Sequence, residues 1–314
     1  MGDINIDQEV NLIINNMNIK KVTIIIAALN EGQNIGFLLK DILNQIEEGF
    51  KVEKIIVMSD GSSDNTVSIS KLVKSKKIEI LEFNERKGKN YRINHEFRRC
   101  KSDVVVNLDA DIKIEDHNFI KKIVTPVLNG YDLVSSNISY VKTKTLIEKV
   151  LAVNLDLIKS VFSKHMGGKN VYMCRGVARA FSKNLYTEIC FPASVGEDAY
   201  SYFYCITNKF RFKFVKSATV LVRLPRTISD HLKQSLRFSQ SKRVMSDIFG
   251  SKITSKEYKL PTGIFAIKFI ESILKHPVLS SLYLLLNSMS LISSFSFKGT
   301  SEKWDIATSS KNLN

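Results

Sequence analysis

The chain has 314 residues, 44% of them apolar and 9% aromatic, which suffices for one large α/β domain with an appendage and excludes a disordered tail. Its 46 Lys and Arg against 31 Asp and Glu give a formal charge of +15, favouring phosphate-bearing partners, whether nucleotides, nucleic acid or acidic lipid. Cys100, Cys174, Cys190 and Cys205 form no CxxC pair, and the polar, acidic opening MGDINIDQEV lacks the basic flank and apolar stretch of a secretory leader. Reduced thiols and a cytoplasmic setting are therefore expected.

After a polar leader over 1–20, VTIIIAA (22–28) is a β-branched run bounded by turn residues, the pattern of a buried parallel strand. A helical segment, NIGFLLKDILNQI, follows at once. The alternation repeats: KIIVMS (54–59) into a helix near 65–74, IEILEF (78–83) into 88–100, and DVVVNL (103–108) into 116–128. Four strand–helix pairs in this order predict a mainly parallel sheet with helices on both faces. The region 132–225 is mixed, with strand candidates DLVSSNISY, RFKFV and ATVLV, and reads as the second half of the same domain, 21–230. From 228 to 248, Ile228, Leu232, Leu236, Val244 and Ile248 recur at helical spacing, with Lys233, Arg237, Lys242 and Arg243 on other faces, which predicts a basic amphipathic helix. It opens a C-terminal helical part, 231–300, followed by a tail over 301–314.

In sheets of this kind ligands bind beyond the carboxyl ends of the strands. Asn30 and Glu31 close the first strand, Asp60 the second, and Asp109 with Asp111 the fourth. Two carboxylates at i and i+2 can hold Mg²⁺ or Mn²⁺ without a full protein cage, because water and substrate phosphate oxygens complete the shell. An isolated Asp-x-Asp says little, and a solvated loop end explains it as well. Its companions decide.

AALNEGQNI, SDGSSDNT, RKGKNYRIN, LDADI, GED and QSLRF occur in this order, and together they resemble the motifs of the family-2 glycosyltransferases, over residues 21 to about 245. The resemblance implies the GT-A fold, a Rossmann-like, mainly parallel sheet that takes a nucleotide-sugar donor. By the same resemblance Asp60 accepts hydrogen bonds from the nucleobase, with Asn30 and Glu31 near the ribose or base, while Ser62 and Asp64 are read as turn and helix caps. Lys89, beside Arg86 and Lys87, offsets pyrophosphate charge. Asp109 and Asp111 bind metal and diphosphate, or Asp109 touches the ribose or donor sugar instead. Asp198, the last acid of GED, is the implied base that deprotonates the acceptor hydroxyl, with Glu197 its rival and Gly176 and Glu197 beside the acceptor. Gln234 and Arg237, at i and i+3, share a helix face; Arg237 forks to a phosphate, and Phe238, where the family usually has Trp, offers an aromatic platform for a sugar. Arg92 and Ile93 depart from the usual pair before Asn94, and Arg175 separates Cys174 from Gly176 where polymer synthases have a Cys-Gly segment. Cys174 reads as a small buried residue, with no base partner evident.

Residues 278–297, VLSSLYLLLNSMSLISSFSF, carry no charge for twenty positions, enough for a bilayer-crossing helix, though seven serines and Asn287 make the span marginal. IFAIKFIESILK before it is apolar on one side with Lys268 and Lys275 on the other. An anionic membrane surface is the partner expected for the C-terminal region, on the cytoplasmic face. The expected activity is an inverting, metal-dependent transfer from a nucleotide diphosphate sugar, UDP-linked, to a glycan or lipid-linked acceptor. Two alternatives carry less. A nucleotidyltransferase needs a glycine-rich phosphate loop after the first strand, which ALNEGQNIG does not supply. A nucleic-acid-binding protein fits the charge, but no helix-turn-helix, RNP or zinc spacing appears, so no nucleic acid is expected.

Overall fold

The structure, a computed structural model, describes residues 19–296 and Leu313; most of the leader and the tail lie outside the described residues. Strands β1 (Lys20–Ala28), β2 (Phe50–Asp60), β3 (Ile78–Phe83) and β4 (Val104–Asp109) alternate with helices α1 (Ile35–Leu43), α2 (Thr66–Leu72) and α3 (Lys89–Arg99), and α4 (Phe119–Leu128) follows β4 across the two-residue β5 (Ile112–Lys113). The continuous apolar runs explain the burial: Val22, Ile24, Ile25 and Ile26 in β1 and Val104, Val105 and Val106 in β4 are wholly inaccessible, as strands covered on both faces must be. All pairings among β1 to β4 are parallel, with β1 between β2 and β4.

The second half departs from that pattern. β6 (Leu133–Tyr140), β7 (Ala178–Ser182) and β8 (Phe212–Val222) extend the sheet to the order β3-β2-β1-β4-β7-β6-β8-β5. β7 runs antiparallel to both β4 and β6, while β6 and β8 pair in parallel. The two strand candidates RFKFV and ATVLV are one strand, whose register against β6 shifts between Ser136 and Asn137. β7 lies within a segment too short and too charged to stand out by alternation. This mixed sheet is the GT-A type.

α5 (Leu146–Phe162) and α6 (Lys183–Glu188) flank β6 and β7 in sequence, and α7 (Glu197–Thr207) leads to β8. α8 (Ile228–Phe249), α9 (Ser251–Glu257), α10 (Thr262–Lys275) and α11 (Pro277–Ser296) follow. α5 starts from a capping box: Thr145 Oγ1 accepts from Glu148 N at 3.2 Å, and the Glu148 carboxylate accepts from Thr145 N at 2.8 Å. The same carboxylate pairs with Arg223 at 2.9 Å, both side chains 1% exposed.

The expected apolar positions of α8 divide: Leu232, Leu236 and Val244 are half-buried, with Val244 packed on the core, whereas Ile228 and Ile248 are 38% and 44% exposed and the fully buried residues are Asp230, Ser241 and Met245. The possible bilayer span is likewise corrected: among the described residues no helix is long and apolar enough to cross a membrane. The serines and Asn287 that punctuate the leucines lower its hydropathy. Phe297 lies outside the described residues.

Candidate active site

The carboxyl ends of β1, β2 and β4 converge through their loops. Asn30, at φ 56°, donates from its amide to Ser62 Oγ at 3.2 Å and accepts from Ser63 N at 2.8 Å. Glu31 N donates to Thr66 Oγ1 at 2.8 Å, and the Glu31 carboxylate, 6% exposed, accepts from Asn34 Nδ2 at 3.0 Å. Asp64 accepts from Gly32 N and Thr66 N, both at 3.0 Å, so it ties the β1–α1 turn to the start of α2, the turn and cap role expected of it. Gly61, at φ +73°, fits because a Cβ there would lie 2.9 Å from Arg86 N.

Asp60 does more for the fold than the nucleobase expectation allows. Its carboxylate accepts from Lys87 N at 2.9 Å, Gly88 N at 2.8 Å and Arg92 Nε at 2.6 Å, and it is 4% exposed. Asp60 thus braces the turn before α3, with Oδ1 taking two of these bonds and Oδ2 one. Arg92, the departure from the family pattern, also donates to Glu85 O at 2.5 Å and lies 3.7 Å over the Phe83 ring. The rest of α3 holds a distant loop: Asn90 Nδ2 donates to Pro192 O at 2.7 Å and Val195 O at 3.0 Å, and Asn94 exchanges two hydrogen bonds with the Phe191 backbone. That loop runs directly into Gly196, Glu197 and Asp198.

Lys89, the first residue of α3, joins the two acidic motifs. Its Nζ donates to Asp109 Oδ1 at 2.5 Å and to Glu197 Oε1. Burial lowers the Lys89 pKa, but the charges of Asp109 and Glu197 outweigh it and raise the group above the usual lysine value. Glu197 is held on its other side by Arg179 in β7, a wholly buried side chain. Arg179 Nη1 donates to Glu197 O at 2.7 Å and Ser201 Oγ at 2.6 Å, and its Nη2 lies 3.3 Å from Glu197 Oε1. Burial opposes ionisation of Glu197, yet the Lys89 and Arg179 charges hold its carboxyl down to about 2. Asp198 goes the other way, raised by burial and then by the neighbouring Glu197 charge.

Two glycines mark how closely other segments approach these acids. A Cβ on Gly176 would meet Glu197 Oε1 at 3.1 Å and Asp198 Oδ2 at 3.7 Å; one on Gly196 would meet Ser241 Oγ at 3.1 Å. Ser241 brings α8 to the site, with Arg237 one turn and Gln234 two turns earlier. Gln234 is exposed and Arg237 half-buried. Phe238 is 52% exposed, 6.0 Å from the Tyr172 ring and 5.9 Å from Tyr258. Cys174 is 2% exposed with its thiol pushed up to about 12 by burial, the small buried residue expected.

Asp111 follows Asp109 at the rim, half-buried. Two carboxylates at i and i+2 offer hard oxygen ligands of the kind Mg²⁺ and Mn²⁺ take, with Asp109 Oδ1 held by the Lys89 ammonium. Among the described residues no group of three or more His, Cys, Asp or Glu comes together to hold a metal ion, so water and substrate oxygens would complete the coordination. Arg179, Asn90 and the role of Arg92 escaped sequence reasoning. The one available signal was a charged residue inside a segment that must pair on both sides.

Acids from three segments gather past the strand ends of a mixed sheet covered on both faces. Residues 23–190 match the family model described as Glycosyl transferase family 2, and the chain belongs to that family and is a glycosyltransferase. It is 25% identical over 286 residues to the poly-beta-1,6-N-acetyl-D-glucosamine synthase of Staphylococcus aureus, covering 87% of this chain and 64% of that protein. It is 27% identical over 125 residues to the undecaprenyl-phosphate 4-deoxy-4-formamido-L-arabinose transferase of Aeromonas hydrophila subsp. hydrophila, covering 39% and 38%. The chain thus spans less than two thirds of the length of either relative. In fold it resembles a mannosyltransferase from Pyrobaculum calidifontis in complex with GDP-Man and Mn²⁺, with a TM-score of 0.56 and 17% identity over 90% of this chain and 76% of that one. It also resembles glucosyl-3-phosphoglycerate synthase from Mycobacterium tuberculosis in complex with Mn²⁺, UDP and phosphoglyceric acid, with a TM-score of 0.51 and 17% identity over 72% and 78%.

Proposed function

We propose that this glycosyltransferase moves a sugar from a nucleotide diphosphate donor, UDP-linked, to a saccharide or lipid-linked acceptor with inversion at the sugar carbon. What carries the reading is the Lys89 ammonium between Asp109 and Glu197, which puts the end of β4 and the start of α7 at one cleft. Asn30 and Glu31 line the nucleotide side, and Asp60 holds the adjoining turn in shape. Lys89 and Arg237 meet the diphosphate as cations. A divalent cation, Mg²⁺ or Mn²⁺, bound through Asp109 and Asp111 supplies charge that stabilises the departing diphosphate.

Asp198 takes the proton from the attacking hydroxyl. Its raised pKa makes it a better base than an ordinary carboxylate, while Glu197, locked to Lys89 and Arg179, stays ionised and inert. Among the described residues the nearby Cys174 thiol is buried and pushed up to about 12, so it is no activated nucleophile, which favours direct displacement over a covalent intermediate. Gly176, Gln234 and Phe238 border the acceptor. Residues 21–230 form the catalytic unit, and the C-terminal helices α8 to α11 border its rim and bring an apolar surface to an anionic membrane at the cytoplasmic face.

Asp198→Asn is the test. Transfer falls by at least about a hundredfold, the scale of general-base catalysis, while nucleotide-sugar binding measured by calorimetry stays unchanged. Wild-type turnover in that variant removes Asp198 as the base.

A further inference from the structure

Arg175 holds two of its three guanidinium nitrogens out of water without using them. Its Nε and Nη2 are buried and have no hydrogen-bond partner, a costly state for a guanidinium whose five donors are made to be satisfied. Its place in the fold is well determined. Arg175 N donates to Ser135 Oγ at 2.8 Å, pinning it to β6, and the next residue, Gly176, abuts Asp198. Two residues along β6 from Ser135, Asn137 donates to Lys216 O at 3.2 Å at the floor of a surface cavity of about 270 Å³. Lys159, Lys164, Lys216 and Lys268 line that cavity with Asp156. Lys268 is paired with Glu271 at 2.6 Å, whereas Lys159 has only Asp156, at 4.0 Å.

The electrostatics agree with that placement. Burial lowers the Arg175 pKa, against the attraction of Asp198, and burial lowers that of Lys159, with the Arg175 and Lys216 charges adding to the fall. Arg175 therefore feels the proposed base on one side and the lysine cavity on the other. A half-buried cation with two buried, unpartnered nitrogens and further cations nearby marks a place for an anion.

We propose that Arg175, backed by Lys159 and Lys216, is the anion receptor on the acceptor side, and that the acceptor is a hydroxyl-bearing phosphate ester. Its phosphate is forked by the Arg175 guanidinium and its free hydroxyl is presented to Asp198. This rests on the reading of Asp198 as base and narrows the acceptor to a chemical class, with the phosphate as handle and the hydroxyl as nucleophile.

The test uses the full chain with UDP and Mn²⁺ present in excess, so that added phosphate cannot report on the donor side. Glycerol 3-phosphate is titrated against glycerol in one arm, and phosphatidylcholine vesicles with and without phosphatidylglycerol are used in the other, where every protein carries Ile270→Glu and Leu274→Glu so that insertion of α10 does not contribute. Wild type binds the phosphate-bearing probe in at least one arm, which identifies a soluble or a lipid source, and Arg175→Met weakens that binding about tenfold to a hundredfold. The unliganded Arg175→Met protein melts at or above the wild-type temperature, which loss of a structural ion pair would not produce. Lys216→Gln, at an exposed position, weakens binding severalfold and carries the test should Arg175→Met fail to fold. Wild-type affinity in these variants, or no binding in either arm, overturns the inference. UDP binding is read in the same samples. Its absence in wild type counts against the proposed donor, whereas UDP binding with Arg175-independent phosphate binding counts against the acceptor assignment alone.

Discussion

Adjacent carboxyls at 197 and 198 are driven apart by their surroundings: Lys89 and Arg179 hold Glu197 down, while burial and the Glu197 charge push Asp198 up. A base works only when deprotonated, so kcat/KM should rise with pH through the Asp198 pKa. In Glu197→Gln the negative neighbour is gone and the Lys89 and Arg179 cations act on Asp198 without it, both in the direction of a lower pKa. The acid limb of the pH profile of kcat/KM therefore moves to lower pH. A limb that stays in place or moves up would show that another group controls it. The sequence carried both acids within GED, but the lysine and arginine that separate their pKa values stand 108 and 18 residues away. Only the closure of β4 on β7 brings them together, and no local pattern encodes that distance.

Among the elements, the first four strands were legible because a strand buried on both faces must be apolar along its whole length. β7 was not. It carries Arg179 at its centre, and what satisfies that arginine, the Glu197 carbonyl and carboxylate with Ser201, comes from α7 rather than from its own neighbourhood. α8 was legible in part, since Leu232, Leu236 and Val244 are half-buried as an amphipathic face requires, whereas Ile228 and Ile248 stay exposed. The C-terminal helices were read more usefully. Ile267, Ile270 and Leu274 of α10 are 61%, 57% and 78% exposed, and Val278 and Leu285 of α11 are 69% and 62% exposed. Insertion of such side chains into the interface gives about 1.5–3 kcal/mol each, with nearby lysines attracting anionic headgroups. Co-sedimentation with phosphatidylglycerol vesicles should be salt-sensitive and fall at least about tenfold in Ile270→Glu/Leu274→Glu. Unchanged sedimentation of that double variant would remove the membrane from the account.

Across the whole molecule, the fold's contribution is convergence. Asp60 fixes the turn that starts α3; α3 presents Lys89 and, through Asn90 and Asn94, holds the loop that ends in Glu197 and Asp198; Lys89 then closes onto Asp109. Four segments separated by up to 138 positions, from Asp60 to Asp198, are thus tied together through α3. The ordered motifs indicated which residues matter. They could not indicate that Asp60 acts through the backbone of Lys87 and Gly88, or that Arg175 stands unpaired behind the base. The most direct measurement is a crystal of the full chain grown with UDP and Mn²⁺, with anomalous data collected at the manganese edge. The account predicts a manganese peak against Asp109 and Asp111, with the diphosphate in the cleft that Asp198 faces. A peak elsewhere, or a diphosphate with the sheet between it and Asp198, would contradict it.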